Sequence, residues 1–286
     1  MPPWGDTMPH RLLLGFALAT MLVRDGSALD IAFCHLTVPD GETGILQADI
    51  ACGGEEAAVK LGRDAKLQMN GHRITSGQGG SLYTGIDCEG ATCTVAGPGE
   101  IDGFDDVEYG GGIGGEARRV YLSDLDLHHN RGGVLLFGRS SKVVATNVTV
   151  HDNAGEGIHA KTIFGDNLTA TGNGGVGLDA RWIDRLGRVQ GTAITASGNG
   201  MEGIFAGRVT VDGLVVQGNG RFGLNATRVR LANATLDGNS TAIVGEPSAV
   251  DLVSTARPSL LLTACGHSAR VYRGLFVGDW DVCTND

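Results

Sequence analysis

An asparagine returns at a near-constant interval through the middle of this chain, and that interval excludes most folds. Asn130, Asn153, Asn173, Asn199, Asn219 and Asn239 are separated by steps of 23, 20, 26, 20 and 20 residues. Four or five residues after each, a small residue precedes an apolar one: Gly133-Val134, Gly157-Ile158, Gly177-Leu178, Gly203-Ile204, Gly223-Leu224 and Ala242-Ile243. Before each asparagine, apolar residues stand two apart, as in Leu125/Leu127, Val148/Val150, Leu168/Ala170 and Leu214/Val216. Further alternating pairs lie upstream, at Val120/Leu122, Val143/Ala145, Val209/Val211 and Val229/Leu231. Alternation with period 2 is a strand signal and excludes helical solenoids, whose units need a 3.6 period. Propeller blades are about twice this length. What remains is an all-β, single-stranded parallel β-helix of about nine coils, three short strands to a coil, each coil pairing with the next at about 4.8 Å.

Composition agrees. Glycine makes up 47 of 286 residues, as expected where many tight turns need a positive φ. The recurring asparagines are expected to form a ladder in one turn, passing amide hydrogen bonds from coil to coil. Five Asn-x-Thr triplets, at Asn147, Asn167, Asn225, Asn233 and Asn239, follow from a turn asparagine preceding a strand threonine and are not read as glycosylation sites. With 42% hydrophobic residues the chain can build a core, which excludes wholesale disorder. A net charge of -10 argues against non-specific nucleic-acid binding.

The N-terminus reads as an export signal over residues 1–28. Arg11 precedes a twelve-residue apolar run, Leu12 to Val23, and Gly26-Ser27-Ala28 supplies a small-residue cleavage site. The run is too short to span a bilayer, which takes about 20 residues. The implied location is secreted or periplasmic. Six cysteines suit such a compartment and are expected to pair locally, Cys34 with Cys52, Cys88 with Cys93 and Cys265 with Cys283. Residues 29–57 and 251–286 lose the asparagine period and are expected to be disulfide-pinned caps around a β-helix over 58–250, since solenoid ends must cover an exposed core.

The phrases LQMNGHRI, VAGPGEIDGF and the recurring N-x-x-x-G-I resemble the repeats of the pectate-lyase-like superfamily of right-handed parallel β-helices, over roughly residues 59–245. That resemblance implies a right-handed coil and either a polysaccharide lyase, glycoside hydrolase or uronan epimerase, or a non-catalytic protein. It transfers no catalytic residues. The NTD, GHG and RIK motifs of polygalacturonases, the WIDH and RxPxxR patterns of pectate lyases and the YGFDPH-type motif of alginate epimerases are absent.

Candidate chemistry gathers on the strand that opens at Gly-Ile. Alternation puts Asp87, Glu89, Gly114, Glu116, Leu135, Phe137, His159, Lys161, Asp179, Arg181, Phe205 and Asn225 outward. His159 should then stack beside Asp179, and Lys161 beside Arg181, all four facing solvent. Phe137, Phe205 and Trp182 would offer rings to a sugar, with Asn225 at the edge. For β-elimination, His159 or Lys161 would be the base and Arg181 the cation that stabilises the enolate. For hydrolysis, Asp179 and Glu156 would be the carboxylates. The expected partner is an extracellular polysaccharide, bound and cleaved by a monomer. The alternative is a non-catalytic surface, envelope or adhesion scaffold.

Two further clusters stand out. Asp102, Asp105, Asp106 and Glu108 place four acidic residues within seven positions, a Ca²⁺-binding pattern that would draw on Glu116. His128, His129 and His151 form a third cluster, His128 and His151 holding the same repeat position, and read as stacked turn histidines, with zinc as the rival reading. The glycine run at residues 110–115 lacks the GK[ST] ending of a phosphate loop.

Overall fold

A computed structural model describes residues 28–253, apart from 55, 78–83, 106–110, 183–184, 240 and 245–248, together with 269–271. Its described residues form strands and turns with parallel pairing between coils. The chain is a parallel β-helix.

Three sheets run along the helix, and the chain visits them in a fixed order. The first sheet takes Leu36–Val38, Val59–Leu61, Thr84–Cys88, Gly111–Gly115, Val134–Leu136, Ile158–His159 and Leu178–Trp182 in succession. It then takes the openings of Ile204–Gln217 and Phe222–Ala232. From Thr92–Asp102 onward, one long strand per coil supplies both the second and third sheets, as in Arg119–His128 and Lys142–His151. These strands bend where one residue takes a left-handed conformation: Asp124 (φ 54°), Asn147 (52°), Asn167 (54°), Ala193 (48°) and Gly213 (73°). Pairing skips that residue, stepping from Ser123↔Thr146 to Leu125↔Val148.

Alternation decides what is buried. Val120, Leu122, Leu125 and Leu127 point in, as do Val143, Ala145, Val148 and Val150 one coil later, so one core runs up the axis. The corner from the third sheet back to the first holds the asparagine ladder, and its rungs from Asn130 to Asn219 are buried. The Asn153 Nδ2 donates to Asn173 Oδ1 (2.8 Å), Asn173 Nδ2 to Asn199 Oδ1 (3.0 Å) and Asn199 Nδ2 to Asn219 Oδ1 (3.0 Å). Each of these amides also donates to a carbonyl of the preceding coil, at Leu127, Val150 and Ala170. At the lower end of the ladder, buried Phe104 occupies the asparagine position and its backbone N–H donates to Asn130 Oδ1 at 3.1 Å.

Disulfides join Cys34 to Cys52 and Cys88 to Cys93, as the spacing predicts. Cys265 and Cys283 lie outside the described residues, as does the export signal except Ala28. Residues 29–57 already place strands in all three sheets, so this segment is built as a coil of the helix. At the other end Ala249–Val253 and Ala269–Val271 extend the second sheet.

Candidate functional site

The outward column of the first sheet forms as the alternation predicts. Register sets Asp87, Gly114, Leu135, His159, Asp179, Phe205 and Asn225 side by side, coil after coil. Its middle is a connected cluster. Arg181 clasps Asp179 with two hydrogen bonds, Nε to Oδ1 at 2.7 Å and Nη2 to Oδ2 at 2.6 Å. His159 Nδ1 lies 3.3 Å from Asp179 Oδ2. The Arg181 guanidinium stacks 4.1 Å over the Phe205 ring, and Phe137 sits 6.2 Å from the His159 ring on the other side. Phe137 is 41% exposed, an open apolar face beside a histidine.

Two expectations need correction. Asp179 does not face solvent: its side chain is 2% exposed, roofed by His159, Arg181 and Phe205. Burial pushes its carboxyl up, but the hydrogen bonds from His159 and Arg181 outweigh burial and hold it below the usual carboxylate value. Four places earlier in the same column, Asp87 is pushed up by burial and then by Glu89, because no arginine clasps it. Nor does Lys161 stack beside Arg181. Ala160 N–H still donates to Asp179 O, but Lys161 O accepts from Arg188 N–H. The intervening residues leave the coil as an antiparallel hairpin, Arg181↔Leu186 and Trp182↔Arg185. This insert accounts for the one 26-residue step in the asparagine series. The Trp182 side chain lies outside the described residues.

Sequence reasoning missed Glu202. It stands in the corner column with Glu156, Val176 and Phe222, each accepting from the glycine N–H of the coil before. Its side chain is 4% exposed, Arg221 Nη1 lies 3.7 Å from Oε1, and Oε2 has no hydrogen-bond partner. Glu202 and Glu156 both act electrostatically on Arg181, after Asp179. The signal was present, since a glutamate directly precedes Gly-Ile in both coils.

A second omission is larger. The residue before each inward valine of the second sheet forms its own column: Arg119, Lys142, Thr162, Arg188, Arg208 and Arg228. Arg119, Arg188 and Arg208 are exposed. Among the described residues, no carboxylate pairs with Arg119, Lys142, Arg188 or Arg208. Lys142 Nζ and the Arg188 guanidinium both lie over the Phe164 ring, at 4.2 and 5.0 Å. Like charges directly opposite in a sheet repel, yet this stripe concentrates positive charge on one face of a chain of net charge -10.

Asp102 belongs to another face, in the third sheet, where Arg73, His128 and His129 surround its carboxylate. Asp105 is exposed in the following turn, and Asp106 and Glu108 lie outside the described residues. Glu116 is exposed one residue beyond the first-sheet strand Gly111–Gly115.

No family profile matches the chain, and no curated protein matches it. Among solved structures it is similar to the Azotobacter vinelandii mannuronan C-5 epimerase AlgE4 A-module, at 12% identity over 84% of this chain and 91% of that one, with a TM-score of 0.40. The AlgE6 A-module of the same organism is similar at 14% identity over 84% and 88%, with a TM-score of 0.35. At such values the fold assignment rests on this chain's own strand register, which is that of a parallel β-helix.

Proposed function

We propose that this chain is an exported protein that binds an acidic polysaccharide along the second-sheet cationic stripe and cleaves it by β-elimination at His159. The stripe carries the reading: four cations without carboxylate partners, on a chain of net charge -10, suit a polymer with regularly spaced negative groups. Phe164 beneath two of those cations, and Phe137 and Phe205 on the first sheet, add ring faces for sugars.

The His159–Asp179 pair supports elimination over hydrolysis. Asp179 is held ionised, so it is unsuited to donating a proton to a leaving oxygen. As an acceptor it fixes the His159 tautomer: Nδ1–H donates to Asp179, and Nε2 keeps the lone pair. Nε2 then takes the proton α to a uronate carboxylate, the C–O bond at the β-carbon breaks, a C=C bond forms and the leaving oxygen takes a proton from solvent water, His159 later releasing its own proton to solvent. Arg181 keeps N–H groups beyond those given to Asp179 to stabilise the enolate.

A scaffold reading has its own support, because Asp179, Arg181 and Phe205 already engage one another without any ligand. The test is a screen of uronans and neutral glycans, with binding measured against salt and the unsaturated product followed by ultraviolet absorbance. The expected outcome is salt-sensitive binding to uronans alone, with product formation lost in His159→Ala. Binding without product would favour the scaffold, and binding to neither class would overturn the proposal.

A further inference from the structure

The third sheet carries a separate cluster whose hydrogen bonding cannot be completed from within. Register places Asp102 beside His128 and His128 beside His151. His129 follows at the corner with φ 51°, a left-handed conformation uncommon for a side-chain-bearing residue. Its ring turns back onto the same carboxylate. Three atoms form a nearly equilateral triangle: Asp102 Oδ1 to His128 Nδ1 is 3.1 Å, Asp102 Oδ1 to His129 Nδ1 is 3.2 Å, and His128 Nδ1 to His129 Nδ1 is 2.8 Å.

Counting protons exposes the conflict. If both Nδ1 atoms carry hydrogen and donate to Asp102, two N–H groups face each other across the shortest edge. If only one carries hydrogen, at least one edge sets lone pair against lone pair. With Asp102 as a carboxylate, no assignment satisfies all three edges. A cation at the centre does, because all three atoms then present lone pairs to it.

We infer that Asp102, His128 and His129 form a binding site for a first-row transition-metal ion of the Zn²⁺ class. Bonds of about 2.0–2.1 Å in a tetrahedron put neighbouring ligand atoms about 3.3 Å apart, so the triangle needs to open by only a few tenths of an ångström. Two imidazoles and one carboxylate suit Zn²⁺ and its neighbours, and do not suit Ca²⁺, which takes oxygen ligands. The surroundings orient the set. Arg73 holds the other oxygen of Asp102, His151 stacks on the His128 ring at 4.9 Å between centroids, and the far nitrogen of His128 faces Glu100 Oε2 at 3.9 Å. His129 is 64% exposed, so the fourth position opens to solvent, as in sites that accept water or a further ligand.

The test uses the full chain, stripped with a chelator and titrated with Zn²⁺ by calorimetry, and with Co²⁺ to read the visible bands of four-coordinate metal. One equivalent should bind. His129→Gly should lose it while keeping the thermal midpoint of the metal-free protein, because glycine accepts the left-handed corner. His151→Ala should retain it. The inference is overturned if the stripped chain binds no more Zn²⁺ than His129→Gly does. It is also overturned if His151→Ala abolishes binding as fully, which would move the metal to the neighbouring Asp126, His128 and His151 group.

Discussion

Two asparagine stacks climb this β-helix, one buried and one exposed. At the corner between the third and first sheets, Asn130, Asn153, Asn173, Asn199 and Asn219 are buried; each side-chain amide donates to a backbone carbonyl of the preceding coil and, from Asn153 on, also to the next rung. At the corner between the second and third sheets, Asn147 and Asn167 stack in the same way, Asn167 Nδ2 donating to Asn147 Oδ1 at 3.0 Å, but both are exposed. The buried stack recurs in every coil from Asn130 on. The exposed one is filled at other levels by Asp124, Ala193 and Gly213. Water can replace a lost partner at the second corner and cannot at the first, so burial, not residue type, decides which stack is architectural.

That difference is open to attack. The largest effect is expected from Asn173→Ala. It removes the acceptor of the Asn153 backbone N–H and of one Nδ2 hydrogen, and the donor to the Val150 carbonyl and to Asn199 Oδ1, all inside the buried corner, for a loss of roughly 3–5 kcal/mol in urea unfolding. An intermediate effect is expected at Asp179, a buried polar group on a functional face. Its folded pKa is depressed, so its contribution is fully present above the ordinary value of 3.8 and is lost as pH falls through the lower folded value. Asp179→Asn should therefore cost about 1–3 kcal/mol near neutral pH, the range of a hydrogen bond to a charged group, and the two proteins should converge in stability as pH drops below 3.8. The smallest effect is expected from Asn147→Gly. Glycine accepts the left-handed φ of 52°, and only exposed hydrogen bonds are lost, so the unfolding midpoint should move by no more than about 0.5 kcal/mol. A loss as large as that of Asn173→Ala would erase the distinction.

Much of the fold was legible because a solenoid maps sequence offset directly onto space. One repeat along the chain is one strand across the sheet, so the positions of Ile158 and Leu178 predict that His159 meets Asp179. The cationic stripe was legible by the same rule, one residue before Val120, Val143, Val189 and Val209, and calls only for reading that column. The separation of Lys161 from Arg181 was not, because an insertion breaks the proportionality between sequence and height. The 26-residue step announces extra residues without saying where they leave the coil.

The sequence by itself determined the coil, the inward and outward faces, the buried ladder and the pairing of Cys34 with Cys52 and Cys88 with Cys93. Each follows from local alternation or from short separation along the chain. Tertiary structure alone decided that Asp179 is roofed by Arg181 and Phe205, and that the Asp102 carboxylate meets both His128 and His129. The physical reason is common to both. Backbone register fixes which residues are neighbours, but side-chain rotamers and the left-handed corner at His129 fix which atoms meet, and those depend on contacts from several coils at once.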